Sequence, residues 1–222
     1  YNADPQLEYL IYTCYYLAAQ FKTVTQEYKP AAGPGIYPAA SVILVSQSYL
    51  ALGDYSSAYT ALGMPVYEGL DSRNSFTVLL RRVEPLLLSG DYGPLDMELS
   101  AAEGSMGDSP DFLSLKQDLE TFRENQGINP WAGAVMSAII PGSGQLFSGR
   151  IIDALLSLAS VALPVAGGIY MKERGNTGTA YTLFFFTGLF YAGNVYGGYN
   201  SLMLDNRERR AENHAQLIRK YG

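Results

Sequence analysis

Two long apolar stretches in the second half of the chain constrain its fold most. Residues 151–171 carry one charge, Asp153, in 21 positions, and residues 181–204 carry none in 24. A helix needs about 20 apolar residues to cross the hydrocarbon core of a bilayer. We therefore predict a membrane helical hairpin with spans at about 151–171 and 179–204. The competing interpretation is a glycine-rich helix buried in a soluble core.

Small residues in the second stretch recur at the spacing that lets two membrane helices approach closely. Gly188 and Ala192 lie four positions apart, as do Gly193 and Gly197. This small-xxx-small pattern is typical of packed membrane helices. With the polar Asn194, these residues are the candidate helix-packing positions of the hairpin.

Charge separates the two halves of the chain. Through residue 126 the sequence has 16 acidic and 7 basic residues, a net charge of −9, and the remainder has 5 acidic and 8 basic, a net charge of +3. Nucleic-acid binding requires clustered Lys and Arg, so the acidic half argues against it. Cys14 is the only cysteine, which excludes an intramolecular disulfide, and we expect it to be a buried thiol. His214, the only histidine, is expected at the surface of a solvated tail.

The first half reads as helical. Asp4-Pro5 is a helix-start pair, followed by apolar residues at helical spacing, so we expect a helix of about five turns that ends before Lys29-Pro30. Further helices are expected from about Ala39 to Leu52, after Gly53-Asp54, and over residues 110–125. The apolar positions of the last of these are Phe112, Leu113, Leu115, Leu119 and Phe122.

Residues 41–62, SVILVSQSYLALGDYSSAYTAL, resemble a tetratricopeptide repeat, a helical hairpin about 34 residues long. The positions that match the packing residues of this family are Ser46, Tyr49, Gly53, Tyr55 and Ala58. The triplet GDY returns at residues 90–92, 37 positions after its first appearance, with Pro94 and Leu95 departing from the family pattern. The resemblance implies stacked helical hairpins that hold a protein partner. The alternative is that the tyrosines of this half only fill gaps between helices.

The glycine-rich stretch PGSGQLFSGR at residues 141–150 admits two interpretations, a phosphate-binding loop or a bend in a membrane segment. A phosphate loop needs GxxxxGK[ST], but Gly144 and Gly149 are followed by Arg150-Ile151. The lysine and hydroxyl that would hold phosphate and magnesium are missing, and the dinucleotide-binding pattern fails as well. We therefore expect no nucleotide here.

The same stretch resembles the Pro-Gly-x-Gly-Gln-x-aromatic-x-Gly-Arg signature of small bacterial membrane domains, over roughly residues 129–204. The matching residues are Pro141, Gly142, Gly144, Gln145, Phe147, Gly149 and Arg150, followed by Asp153, with Phe147 standing where tyrosine is common. The resemblance implies a broken segment, 131–148, ahead of a helical hairpin, and no established reaction. Some such domains accompany envelope-assembly or membrane-protein insertion factors. We expect Arg150 and Asp153 to interact with each other or with the carbonyls of the turn.

Two conflicting arguments bear on which side of the membrane the first half of the chain occupies. Five basic residues in the tail, against Lys172 and Arg174 in the loop between spans, put the tail in the cytoplasm. If residues 131–148 cross the bilayer, the first half lies outside; if they are re-entrant or interfacial, it lies in the cytoplasm. The segment is short and broken, which favours the second arrangement, whereas an acidic domain without an initial Met favours export. We predict a periplasmic helical domain and a cytoplasmic tail in a bacterial inner membrane.

Together these features predict an all-α chain made of a tetratricopeptide-like domain at 1–127, a membrane domain at 128–206 and a basic tail at 207–222. The expected function is a non-catalytic, membrane-anchored adaptor or accessory subunit of a bacterial envelope complex. Its expected partners are membrane lipid and other membrane or envelope proteins, without nucleic acid, nucleotide, metal or cofactor. The alternatives are an accessory factor in membrane-protein insertion or envelope assembly, and a transporter or channel subunit that would use Asp153, Arg150 or Asn194.

Overall fold

A computed structural model describes residues 4–29, 36–63 and 72–222. Every regular element in these ranges is an α-helix, which confirms the all-α prediction. The helices are α1 Pro5–Leu17, α2 Phe21–Glu27, α3 Ile36–Ala51, α4 Tyr55–Leu62, α5 Ser72–Ser89, α6 Tyr92–Met106, α7 Pro110–Glu124, α8 Pro130–Ile139, α9 Ser143–Phe147, α10 Ile151–Glu173 and α11 Thr177–Tyr221. The chain forms two compact units: unit 1 contains Tyr1–Arg123 and Arg210–Gly222, and unit 2 contains Glu124–Arg209.

The segment predicted as one helix before Lys29-Pro30 forms two helices, α1 and α2. Asp4 caps α1 by accepting a hydrogen bond from the Gln6 amide, with Pro5 in the first turn as expected. The helix ends because Ala19 adopts a left-handed conformation, φ 55°, which a helix cannot contain. The apolar stripe of α1 faces outward: Leu10 is 50% exposed, and Cys14 is exposed rather than buried. Tyr12, on the opposite face, is buried instead.

The two GDY triplets form equivalent turns between helices. Gly53 and Gly90 both have φ 76°, a conformation that favours glycine. Asp54 and Asp91 follow as N-cap residues with similar backbone angles, φ −92° and ψ 77° against φ −93° and ψ 92°, and the next helix begins at the tyrosine in each case. Pro94 is compatible with α6 because it lies in the first turn, where the amide has no helical partner.

Unit 1 has one large apolar core formed by α5, α6, α7 and the end of α11. Phe112 and Leu115 of α7 are fully buried against Val83 of α5, and Leu217 of α11 is 1% exposed in the same cluster. Leu113 is 53% exposed, unlike the other four apolar positions expected in α7. The prediction of a solvated tail is therefore wrong. Apolar residues at helical spacing in the tail complete a core whose other members come from the first half of the chain.

Unit 2 consists of α8, α9, α10 and residues 177–209 of α11. Among the described residues, α10 is the one helix that is long and apolar enough to cross a membrane, with a mean hydropathy of 1.8 over its most apolar part. The second predicted span, 179–204, lies in α11 and carries no charge from 181 onward. Its glycines, tyrosines and asparagines keep its hydropathy below that of α10, so this span stays a prediction.

Candidate functional site in unit 2

The broken segment forms a turn at Pro141-Gly142. The helix α8 ends at Ile139, the backbone of the following Ile140 is extended, and α9 begins at Ser143. Gly142 has φ 91°, and a Cβ at this position would overlap the carbonyl oxygen of Ala154. Both the backbone conformation and the close approach of α10 therefore require glycine here.

A chain of polar side chains lies inside the turn. Ser137 Oγ accepts a hydrogen bond from the Gly144 amide at 3.0 Å and donates one to Gln145 Oε1 at 3.2 Å. Gln145 Nε2 in turn donates to Ser157 Oγ on α10 at 3.3 Å. Ser137 is fully buried and Gln145 is 4% exposed. We call Ser137, Gln145, Ser157, Ser160 and Asn194 the polar junction; it joins α8, α9, α10 and α11.

Asn194 connects α11 to this junction. Its Nδ2 donates to the carbonyl oxygen of Ser157 at 3.0 Å and to Ser160 Oγ at 3.3 Å. One turn earlier, the Tyr191 hydroxyl donates to the carbonyl oxygen of Ala138 in the last turn of α8. Backbone groups near the turn are thus paired with side chains of neighbouring helices, as a bend away from water requires.

Glycines bring the helices into contact around the polar junction. A Cβ at Gly144 would lie 2.7 Å from Gly198 Cα, and one at Gly197 would lie 2.6 Å from Gln145 Nε2. Gly133 and Gly198 face each other so closely that a Cβ on either would overlap the carbonyl oxygen of the other. The backbones of α8, α9 and α11 meet here without side chains between them.

The remaining candidates of the predicted motif lie outside the junction. Phe147 is 63% exposed, Gly149 lies between α9 and α10 with φ 76°, and Arg150 is the half-buried N-cap residue of α10. Asp153 is exposed on the first turn of α10. No ion pair joins Arg150 to Asp153 in the described chain, so that expectation was wrong. Asp153 is exposed, while Ser137 Oγ accepts from the Gly144 amide and the Tyr191 hydroxyl donates to the Ala138 carbonyl oxygen.

The predicted helix-packing residues divide into two groups. Asn194 and Gly197 pack inside unit 2, together with Gly198. Gly188, Ala192 and Gly193 are exposed, and nothing lies within 4 Å of a Cβ built on either glycine. The sequence analysis missed Ser137, Ser157 and Ser160; Ser157 and Ser160 lie three apart on one helix face, a spacing that could have revealed them.

In unit 1 the residues singled out for the repeat resemblance meet at the α3–α4 contact. Ser46 Oγ donates to the carbonyl oxygen of Ala58 at 3.0 Å, and both residues are buried. Tyr49 packs against the small cluster formed by Tyr12, Val24, Val45 and Ala61, whereas Tyr55 begins α4.

Two glutamates in unit 1, the buried Glu84 and the half-buried Glu98, have basic partners. Glu98 accepts hydrogen bonds from Arg82 Nε at 2.8 Å and from the Tyr59 hydroxyl. Burial alone would raise the pKa of Glu98, but the hydrogen bonds from Arg82 and Tyr59 hold it below its ordinary value. Glu84, 1% exposed, is bonded to Gln47 at 3.0 Å and Arg81 at 2.6 Å, and His214 Nε2 lies 3.7 Å from its carboxylate. Burial alone would raise the pKa of Glu84, but His214, Gln47 and the charge of Arg81 hold it below its ordinary value. These pairs hold α3, α5 and α6 together.

Among the described residues, no group of three or more His, Cys, Asp or Glu side chains is placed to hold a metal ion. No family model, curated protein or solved structure matches the chain.

Proposed function

We propose that the chain is a membrane-anchored, non-catalytic adaptor, in which unit 2 lies in a bacterial inner membrane and unit 1 binds a protein partner. The observation that carries this proposal is the exposure of α10. Only 11% of its most apolar part is buried within the protein. A helix of a soluble core would bury most of that surface, so lipid is the solvent that suits it.

The other helices of unit 2 support the same placement. Their exposed side chains include Ile139 at 75%, Phe147 at 63% and Phe185 at 65%. The interior holds glycines and the polar junction. Large apolar residues outside and small or polar residues inside are typical of helix packing in lipid.

The contacts within unit 2 favour a re-entrant α8–α9 segment. Asn206 Nδ2 donates to the carbonyl oxygen of Ile128 at 2.8 Å, the Trp131 and Tyr199 rings lie 5.1 Å apart, and Tyr191 reaches Ala138. The helix α8 therefore runs antiparallel to α11 from residue 206 towards residue 191. With 10 residues at about 1.5 Å each, it covers about half of a hydrocarbon core about 30 Å thick. The helix α9 then leads back towards the side of the membrane on which α8 begins. The helix α10 starts beside the part of α11 that α8 contacts.

The first half of the chain and the tail lie on one side of the membrane in this arrangement. Leu217 shares a core with Phe112, so a periplasmic first half with a cytoplasmic tail is not compatible with unit 1. Arg207, Arg209 and Arg210 follow the membrane part of α11, against Lys172 and Arg174 in the opposite loop. The positive-inside rule then places unit 1 in the cytoplasm.

The adaptor role rests on unit 1. Its GDY turns repeat with the same backbone geometry, and the Ser46–Ala58 contact falls on the residues that carry the tetratricopeptide resemblance. Helical hairpins stacked in this way offer extended surfaces for a peptide or a partner helix.

Topology is tested with the single native thiol. In intact spheroplasts, we expect an impermeant maleimide to label the variant that carries Cys14→Ser and Arg174→Cys. We expect the same reagent to label Cys14 of the native protein only after the spheroplasts are lysed. Arg150→Cys in the same background should behave like Cys14. Labelling of Arg150→Cys and Cys14 from opposite sides would show that α8–α9 crosses the bilayer.

The adaptor role is tested by purifying the tagged native protein in mild detergent, with crosslinking and mass spectrometry. Membrane partners crosslinked at residues 150–200 and a further protein at residues 39–100 would support an adaptor. If an insertase or an envelope-assembly machine were among the crosslinked partners, the chain would be an accessory factor in membrane-protein insertion or envelope assembly. A stable homo-oligomer without partners would overturn the adaptor role, and loss of flux on Asp153→Asn would then support transport.

A further inference from the structure

Unit 2 has different numbers of helices at its two ends. Beside residues 191–206 of α11 lie α8, α9 and the start of α10, held by the contacts of Tyr191, Asn194 and Asn206. Beside residues 177–190 the contact comes from α10, where the Phe184 ring lies so close that Gly168 has no room for a Cβ. Four helices thus form one end of the unit and two form the other.

We propose that unit 2 is a wedge whose broad end, where the chain enters at residue 128 and leaves at residue 206, occupies the cytoplasmic leaflet, and that the acyl chains of this leaflet are the partner of the exposed α8–α9 surface. This inference rests on the proposed membrane location. A wedge makes the distribution of the protein depend on membrane curvature, because a broad end in one leaflet is accommodated best where that leaflet is convex.

The side chains of α8–α9 fit acyl chains better than a protein partner or water. Val135, Ile139, Leu146 and Phe147 are between 55% and 75% exposed, and none carries a charge. Ile152 and Leu155 in the first turns of α10, which follows α9 in the chain, are exposed as well, at 74% and 62%. The length of α8, about 15 Å, matches one leaflet.

The interior of the broad end explains why it can remain a rigid wedge. The polar junction ties α9 to α8 and α10, and the glycine contacts leave no room for one backbone to move towards another. Shallow insertion of apolar helix surface into one leaflet is known to make membrane binding depend on curvature.

The first experiment separates membrane location from shape. The full chain is reconstituted into vesicles of phosphatidylethanolamine and phosphatidylglycerol and treated with alkaline carbonate. We expect it to resist extraction, and its single tryptophan, Trp131, to be quenched more by lipids brominated near the headgroup than by lipids brominated near the chain end. Extraction by carbonate would overturn the membrane location itself, and the wedge with it.

The second experiment measures curvature preference on the same preparation, labelled with a fluorophore at Cys14. Protein density per membrane area is compared between small sonicated and large extruded vesicles, and an external quencher separates the two orientations. Molecules with unit 1 outside should be enriched severalfold on small vesicles, and molecules with unit 1 inside should be depleted. Equal densities, or the same enrichment in both orientations, would overturn the wedge while leaving the membrane location intact.

Matched variants test which end is broad. Leu146→Ala with Phe147→Ala removes exposed volume from α9 and should weaken the preference for small vesicles. Leu163→Ala with Phe185→Ala removes comparable exposed volume from the opposite end and should strengthen it. A preference that changes in the same direction in both variants would contradict the assignment of the broad end.

Discussion

Phe112 and Phe185 occupy opposite environments in the two units. Phe112 is fully buried in the core of unit 1, whereas Phe185 is 65% exposed on α11 in unit 2. Unit 1 buries large apolar side chains, and its exposed residues include the ion pair of Lys116 with Glu103. Unit 2 buries glycine, serine, glutamine and asparagine at its helix contacts. The proposed membrane location accounts for this difference, since lipid removes the hydrophobic reason to bury large side chains.

The largest expected effect is that of truncating Phe112, and the truncation of Phe185 is its comparison. Phe112→Ala should destabilise unit 1 by about 3–5 kcal/mol, because it leaves a cavity among Val83, Leu115 and Leu217. Phe185→Ala should leave the free energy of opening of both units almost unchanged. Hydrogen exchange of the α7 and α10 amides in detergent measures each unit separately. A similar loss of protection from both variants would show that Phe185 is buried by another part of the assembly.

The next effect concerns the buried charge of Glu98. Arg82→Met should destabilise unit 1 by about 3 kcal/mol at neutral pH, because it leaves Glu98 ionised, 15% exposed and without its basic partner. Lys116→Met is the matched control, since its pair with Glu103 is solvent-exposed and such pairs contribute at most about 1 kcal/mol. Hydrogen exchange of the α6 amides compares the two, and equal losses would contradict the role of burial.

The pH dependence sharpens this test. The folded-state pKa values of Glu98 and Glu84 lie below the ordinary value of 4.5, so their stabilisation is present above that pH and is lost as the pH falls through the folded-state pKa values. We expect native unit 1 to lose stability below about pH 4.5. The deficit of Arg82→Met should shrink as the pH falls, starting at a higher pH, because without Arg82 the buried Glu98 carboxylate protonates more easily and protonation removes the unpaired charge. A deficit that does not change with pH would assign the loss to packing.

In unit 2 the comparison is between two glycines of α11. Gly198→Ala should destabilise the unit by about 1–3 kcal/mol, because its Cβ would overlap Ser137 Oγ and the Gly133 carbonyl oxygen. Gly188→Ala should be neutral, since nothing lies within 4 Å of its Cβ. The thermal transition of Trp131 fluorescence in detergent reports both. Destabilisation by Gly188→Ala would indicate that a partner helix packs on that face.

The sequence allowed the prediction of features that depend on local chemistry. Helical periodicity and the Pro and Gly punctuation predicted α3, α4, α7 and α10, but not α5 or the continuation of α11 through the tail. The two GDY triplets mark turns in which the glycines have the same backbone conformation. The break at Pro141-Gly142 also followed from these two residues alone, since proline and glycine disfavour a continuous helix.

Features that depend on distant residues were missed or wrong. The stripe of α1 suggested a buried Cys14, but a periodic stripe does not say whether another element covers it. The tail appeared solvated because its basic residues are conspicuous, yet Leu217 completes a core formed more than ninety positions earlier. Charge and spacing made Asp153 and Arg150 the expected partners of the turn, whereas the uncharged side chains of Ser137 and Tyr191 bond its backbone groups.

The smallest expected effect tests the polar junction itself. Asn194→Ala should lower the stability of unit 2 by about 1 kcal/mol, because side-chain hydrogen bonds between membrane helices contribute modestly. It removes the two bonds to Ser157 and Ser160 and leaves the Ser157 carbonyl oxygen with its helical partner. Gly193→Ala, at the neighbouring exposed position, is the control and should not shift the Trp131 thermal transition. A loss for Asn194→Ala larger than that for Gly198→Ala would mean that hydrogen bonding, rather than close glycine packing, holds the broad end of unit 2 together.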